Sequence, residues 1–145
     1  MWTWSAEVAY LLDTNVVSEL RKPKPNANVL AWYEGQRRAE AYISTLVAGE
    51  IRQGIERVRS RDRSQADALD RWLAGLLTAY RGRVLPVTAE VADAWGCLNA
   101  LPSPPPPIDG LMAATAKVHR LTLVTRNVTD VERAGVTVVN PFEPR

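Results

Sequence analysis

Val8-Ala9-Tyr10-Leu11-Leu12-Asp13-Thr14-Asn15 is an apolar run that stops on three polar residues, and helical patterning follows it through Leu20. A run that is apolar at every position, without alternation, reads as a strand buried on both faces, and strands of that kind belong to parallel sheets. The rest of the chain repeats the alternation. Lys22-Pro23-Lys24-Pro25-Asn26 breaks the first helix, and residues 29–34 resume one. Ala41-Tyr42-Ile43-Ser44 is a second strand, with Ser44 or Thr45 available to cap the helix after it. Val47, Ile51, Ile55 and Val58 recur there at helical spacing and give that helix a buried stripe.

A longer helix is expected over residues 64–80, with Ala66, Leu69, Leu73, Leu76, Leu77 and Tyr80 on one face. Val84-Leu85-Pro86-Val87 is a third strand, and residues 89–101 are helical again. Pro102-Ser103-Pro104-Pro105-Pro106-Pro107 fits neither helix nor central strand and reads as a stiff extended loop. A helix over 109–120 leads to the strand Thr122-Leu123-Val124, and Val136-Thr137-Val138-Val139 is the last strand. Strand alternating with helix implies an α/β fold, with a central, mostly parallel sheet of about four or five strands covered by helices on both faces. The expected organisation is one domain over residues 1–145, of which 1–7 read as a short leader.

Composition narrows the function classes. Of 145 residues, 46% are apolar and 23% charged, an ordinary globular balance that argues against disorder. The single cysteine, Cys97, excludes a disulfide framework and any multi-cysteine metal site and suits the reducing cytosol, so a cytoplasmic location is expected. No apolar run approaches the roughly 20 residues that span a bilayer. The start lacks the basic stretch and apolar core of a secretory signal. A net charge of +2 neither demands nor excludes nucleic acid. Five arginines between Arg52 and Arg63 offer forks suited to phosphate, or simply a solvated helix face. Cys97 reads as a small buried filler, lone His119 as a helix-end residue, and Trp32, Trp72 and Trp95 as packing or interface residues.

In open parallel sheets the working residues gather at the carboxyl ends of the strands. Asp13 follows the first strand, Glu50 lies in the first turns of the helix after the second, and Asp109 opens the helix after the proline loop. Asn127 and Asp130 follow the strand that ends at Val124. Singly, Asp13 and Asp109 also read as helix N-caps, Glu50 as a boundary residue and Asp130 as a turn cap. Capping does not explain why four segments converge on one edge. Carboxylates that share a pocket repel unless protons or a cation intervene, and an all-oxygen set favours Mg²⁺ or Mn²⁺ over zinc. Such ions orient a phosphodiester and activate water, so the constellation suits phosphodiester hydrolysis.

Four motifs in order carry a family resemblance: residues 11–20 around Asp13, 44–54 around Glu50, 108–116 around Asp109, and 123–130 with Asn127 and Asp130. Together with Val139-Asn140-Pro141 they resemble the PIN-domain nucleases of the VapC/FitB-like branch, across nearly the whole chain from Val8 to Pro141. The resemblance implies a PIN-like fold and a Mg²⁺- or Mn²⁺-dependent ribonuclease, the toxin half of a type II toxin–antitoxin pair. It matches Asp13, Glu50 and Asp109 to the family's three core acidic positions, as metal ligands and catalytic groups. Many relatives carry aspartate where this chain has Asn127, leaving Asp130 as that motif's acid. A weaker site, or one ion in place of two, is implied. Thr14, Asn15, Thr125 and Arg126 stand either as groups that orient ligands or water, or as plain capping and turn residues.

The resemblance further implies an RNA substrate, a homodimer within a larger toxin–antitoxin assembly, and a VapB-like antitoxin docked in a groove beside the acids. Residues 29–33 and 47–58 are the expected groove walls. Arg126 or an arginine of the 52–63 stretch is the expected holder of the RNA backbone. Two other readings stay open on the residues. One is a catalytically weak or inactive PIN fold that serves as a binding module. The other is a receiver-like phosphoacceptor domain, which shares the acidic strand-end pocket but needs a lysine after a late strand, where this chain has Arg126.

Overall fold

The computed structural model describes residues 8–36 and 40–144. The expected leader over 1–7 lies outside them. Five strands, all parallel, form one sheet: β1 (Ala9–Leu12), β2 (Glu40–Ser44), β3 (Val84–Leu85), β4 (Thr122–Val124) and β5 (Val138–Val139). Seven helices flank it: α1 (Thr14–Arg21), α2 (Ala27–Gly35), α3 (Thr45–Arg59), α4 (Arg63–Ala79), α5 (Ala89–Asn99), α6 (Pro107–His119) and α7 (Val128–Val131). No described helix is long and apolar enough to cross a membrane.

The strand order is β3-β2-β1-β4-β5, so the chain steps from β1 to β2 on one side and later returns to β4 on the other. The carboxyl ends of β1 and β4 therefore flank a topological switch point, where an open sheet leaves a crevice. Central β1 explains its own sequence: Tyr10, Leu11 and Leu12 are all buried, and Leu11 pairs with Tyr42 on β2 and Leu123 on β4. Asp13 extends that ladder by one hydrogen bond, its amide donating to the Val124 carbonyl at 2.9 Å.

Local chemistry fixes the helix boundaries. The Asn26 side chain accepts from the amides of Asn28 and Val29 to start α2, and the Ser44 hydroxyl accepts from Leu46 to start α3. Buried Glu19 accepts from Lys22 Nζ and the Asn26 amide, both at 3.0 Å, and so locks the turn between α1 and α2. Those contacts, with the Lys22 ammonium foremost, hold its carboxyl below the usual glutamate range. Of the stripe expected on α3, Val47, Ile51 and Ile55 are buried and Val58 is partly so.

Several sequence expectations are corrected. β3 stops at Leu85, because Pro86 has no N–H to give the ladder. Helix α6 begins at Pro107, which suits a first helical turn, so Asp109 lies inside that turn and Pro106 stands at the cap. Asp109 is thus not an N-cap. Leu77, expected on the buried face of α4, is among the exposed large apolar residues. Cys97, expected to be a buried filler, is exposed. The short α7 and the 3-10 turn Glu132–Ala134 were not legible in the apolar pattern.

Candidate active site

Asp13 is 5% exposed and nearly saturated with donors. Its Oδ1 accepts from the Thr14 amide at 2.7 Å, and its Oδ2 from the Thr125 hydroxyl at 2.6 Å and Asn15 Nδ2 at 3.3 Å. The N-cap role and the site role coincide here, since the capped helix is α1. Thr125, itself buried at the end of β4, uses its hydroxyl in full. It donates to Asp13 and accepts from the Asn127 amide at 3.0 Å and from Asn15 Nδ2 at 3.4 Å. Thr14 reaches the other way, its hydroxyl donating to Glu50 Oε1 at 2.6 Å and tying the start of α1 to α3.

Asp109 faces this group from the first turn of α6 and is half-buried. Its carboxyl is raised above the usual aspartate range, first by burial and then by the charge of Asp13. The Asp130 and Glu50 carboxylates push the same way, and the Asn127 side chain opposes them by hydrogen bonding. Side chains from α1's cap, α3, α6 and α7 therefore sit within one electrostatic neighbourhood. They do not close on a single point. Among the described residues no three acidic, histidine or cysteine side chains form a metal-holding group, and the Glu50 carboxylate is turned to Thr14.

The PIN domain profile matches residues 10–135. The chain belongs to the PIN domain family. It is 34% identical over 138 residues to a VapC ribonuclease of Sinorhizobium fredii, covering 92% of this chain and 98% of that protein. It is 32% identical over 136 residues to the toxin FitB of Neisseria gonorrhoeae, covering 91% of this chain and 97% of FitB. The crystal structure of FitAcB from the same organism superposes with a TM-score of 0.84 at 32% identity, over 93% of this chain and 99% of that one. This PIN domain thus stands with the VapC/FitB-like toxins, and the receiver-like reading falls away.

Three of the arginines expected to grip RNA are engaged within the fold, whereas Arg57, Arg61 and Arg63 make no ion pair among the described residues. Arg52 and Arg59 of α3 pair with Glu56, Asp67 and Asp70, so that they clasp α3 to α4. The Arg126 guanidinium lies 3.7 Å from the Phe142 ring centroid, a cation–π stack that parks it on the chain's last turn. Its backbone contributes more to the site than its side chain, because the Arg126 amide donates to Asn15 Oδ1 at 3.3 Å. Phe142 was not singled out in the sequence, and a lone phenylalanine after Asn140-Pro141 carries no signal of that role.

Of the groove walls expected at residues 29–33 and 47–58, only the first lines the cavities beside α2. An open cleft of about 280 Å³ runs between α1, α2 and α4, with Leu20, Leu30, Tyr33, Trp72, Leu76 and Tyr80 on its walls. It shares Leu12, Tyr33 and Tyr80 with a neighbouring cavity of about 640 Å³. Helix α3 contributes nothing to either, because its apolar stripe is spent on the core.

Proposed function

We propose that this chain is the toxin of a type II toxin–antitoxin pair and a ribonuclease, acting as one PIN domain in the cytosol. The observation that carries this reading is Asp109, whose carboxyl is pushed up by burial and by Asp13, Asp130 and Glu50 together. Carboxylates held against one another in this way favour a cation among them. The donor set is oxygen only, which fits a hard divalent ion such as Mg²⁺ or Mn²⁺. Asp13, Glu50 and Asp109 would hold it, with Asp130 and the Asn127 amide oxygen as further donors. Such an ion, when bound, lowers the pKa of a water and offsets charge developing on a phosphodiester.

The chain's own residues set the stage for that chemistry. Thr125, the Thr14 amide and Asn15 hold Asp13 in one orientation. Thr14 holds Glu50. Replacement of the expected fourth aspartate by Asn127 removes one charge from the site and favours a single ion over a pair.

An extended segment of a VapB-like antitoxin fits the cleft between α1, α2 and α4, where Leu30 and Tyr33 remain exposed on an otherwise apolar wall. A homodimer is the proposed unit of that assembly.

The test is incubation of the purified, antitoxin-free chain with transfer, ribosomal and messenger RNA in Mg²⁺, Mn²⁺ or EDTA, with Asp109→Asn alongside. Discrete cuts that need metal and vanish in the variant are expected. Intact RNA under both metals, from a chain folded by circular dichroism, overturns the nuclease in favour of an inactive binding module.

A further inference from the structure

Between the proline run and the turn after β4 lies a cavity of about 380 Å³ that shares only Asp130 with the acidic site. Pro102 to Pro106 form one wall, Leu98 and Leu101 of the α5 end a second, and Thr129 to Ala134 the third, save Val131, which is buried in the core. Ser103 on the proline wall has φ 54°, a left-handed state that a residue with a side chain keeps only where its surroundings hold it.

The cavity adjoins the acids through Pro106 and Asp130. Pro106 immediately precedes the helix whose first turn holds Asp109. Asp130 lines the cavity and also bears on the Asp109 charge. The volume lies at the lower end for small-molecule pockets, which suits one nucleoside and not a larger group.

The lining supports the same class. Proline rings and leucines offer flat apolar walls for the face of a base, while Ser103, Thr129, Glu132 and Arg133 supply polar edges. Arg133 and Glu132 are free to use them, since the ion pairs among the described residues are Lys22–Glu19 and the α3–α4 clasp. An arginine fork matches O6 and N7 of guanine, and a carboxylate accepts from an amino or imino edge. Guanine is the base that presents both. Single-stranded RNA leaves such edges open to be read.

We infer that this cavity holds an unpaired guanine of the RNA strand, adjoining the bond to be cut, with Arg133 as the residue that specifies it. The inference rests on the ribonuclease reading for the word RNA, and its test separates the two.

Labelled single-stranded pentamers with guanine, 7-deazaguanine or adenine at the centre and adenine elsewhere are titrated by fluorescence anisotropy into the full chain carrying Asp109→Asn. The guanine strand is expected to bind about tenfold tighter than the adenine strand. 7-Deazaguanine, which lacks N7, should lose part of that preference. Arg133→Lys keeps the charge but lacks the fork, so it is expected to erase the preference while leaving the adenine strand's affinity unchanged; Arg133→Ala should also erase it. Equal affinity for all strands, absence of binding, survival of the preference in both Arg133 variants, or a uniform loss for every strand in Arg133→Ala overturns the inference. If the guanine preference appears and depends on Arg133 while the unsubstituted chain cuts no RNA, the pocket stands and the nuclease reading falls.

Discussion

The Thr125 hydroxyl and the Asp13 carboxylate, 112 residues apart in the chain, meet at 2.6 Å in the interior. The bond joins the carboxyl ends of β1 and β4 across the switch point of the sheet. It also fixes which way the most buried carboxylate of the candidate site faces. Thr125→Val keeps the shape and removes the hydroxyl, leaving Asp13 one strong donor short. A hydrogen bond to a charged group is worth about 1.5–3 kcal/mol. Urea denaturation is expected to show a loss of that order, and RNA cleavage a drop of roughly 10- to 100-fold. Thr125→Ser, which retains the hydroxyl, should recover most of the activity.

Asp109 makes the site a source of instability, and the sign of its pH dependence follows. Its folded pKa is raised, so between the ordinary aspartate value of 3.8 and that higher value the folded chain keeps a proton that the unfolded chain releases. Stability therefore falls as pH rises through this window, and the whole penalty is present at pH 7. Asp109→Asn is expected to be more stable than the parent at pH 7. The two should converge in acid below the ordinary aspartate range, where Asp109 is protonated in the folded and the unfolded chain alike. A parent that is the more stable of the two at pH 7 would refute the electrostatic account. A divalent ion should stabilise the parent by about 2.7 kcal/mol at a hundredfold excess over Kd, and so raise its melting temperature. The variant should respond much less.

What was legible in the sequence follows from how local the signals are. The continuous apolar run at β1 and the alternation of strand and helix report burial directly, and both survive in the structure. The positions of Asp13, Glu50 and Asp109 at a strand end and in the first turns of helices follow from that alternation. Side-chain partnerships between distant segments carry no periodic signal, so Thr14 reaching Glu50 and Arg126 lying on Phe142 emerge only from the fold. Arg52 and Arg59 show the same limit. A charged stripe looks alike whether it faces solvent, RNA or a neighbouring acidic helix, and the pairing of these two with Asp67 and Asp70 emerges only from the fold.

That clasp yields a prediction of its own. Arg59 is 27% exposed and bonds Glu56, Asp67 and Asp70, which together hold its guanidinium firmly protonated. Exposed pairs are worth about 0.2–1 kcal/mol each and are screened by salt. Arg59→Ala is expected to lower the melting temperature modestly in dilute buffer and less in 1 M salt, read by thermal unfolding. RNA affinity should stay unchanged. A loss of RNA affinity without loss of stability would return the α3 arginines to the substrate.

Gly110 follows Asp109 on α6 and lies against α5. A Cβ there would stand 3.2 Å from Trp95 Cδ1 and 3.3 Å from Trp95 Nε1, so the indole must give way by a few tenths of an ångström. Two effects oppose each other in Gly110→Ala. Helix propensity favours alanine by about 1 kcal/mol, and overpacking against an aromatic ring costs about 1–3 kcal/mol. Trp95 is partly buried and packed on the core, which limits its room to move, so a net destabilisation of about 1 kcal/mol is expected. The displacement falls on the turn that carries Asp109, so cleavage should drop more than stability does. Trp95→Leu removes the clash. In the double variant Gly110→Ala should become neutral or stabilising relative to Trp95→Leu alone. A cycle in which the two changes simply add would show that Trp95 does not set the position of this turn.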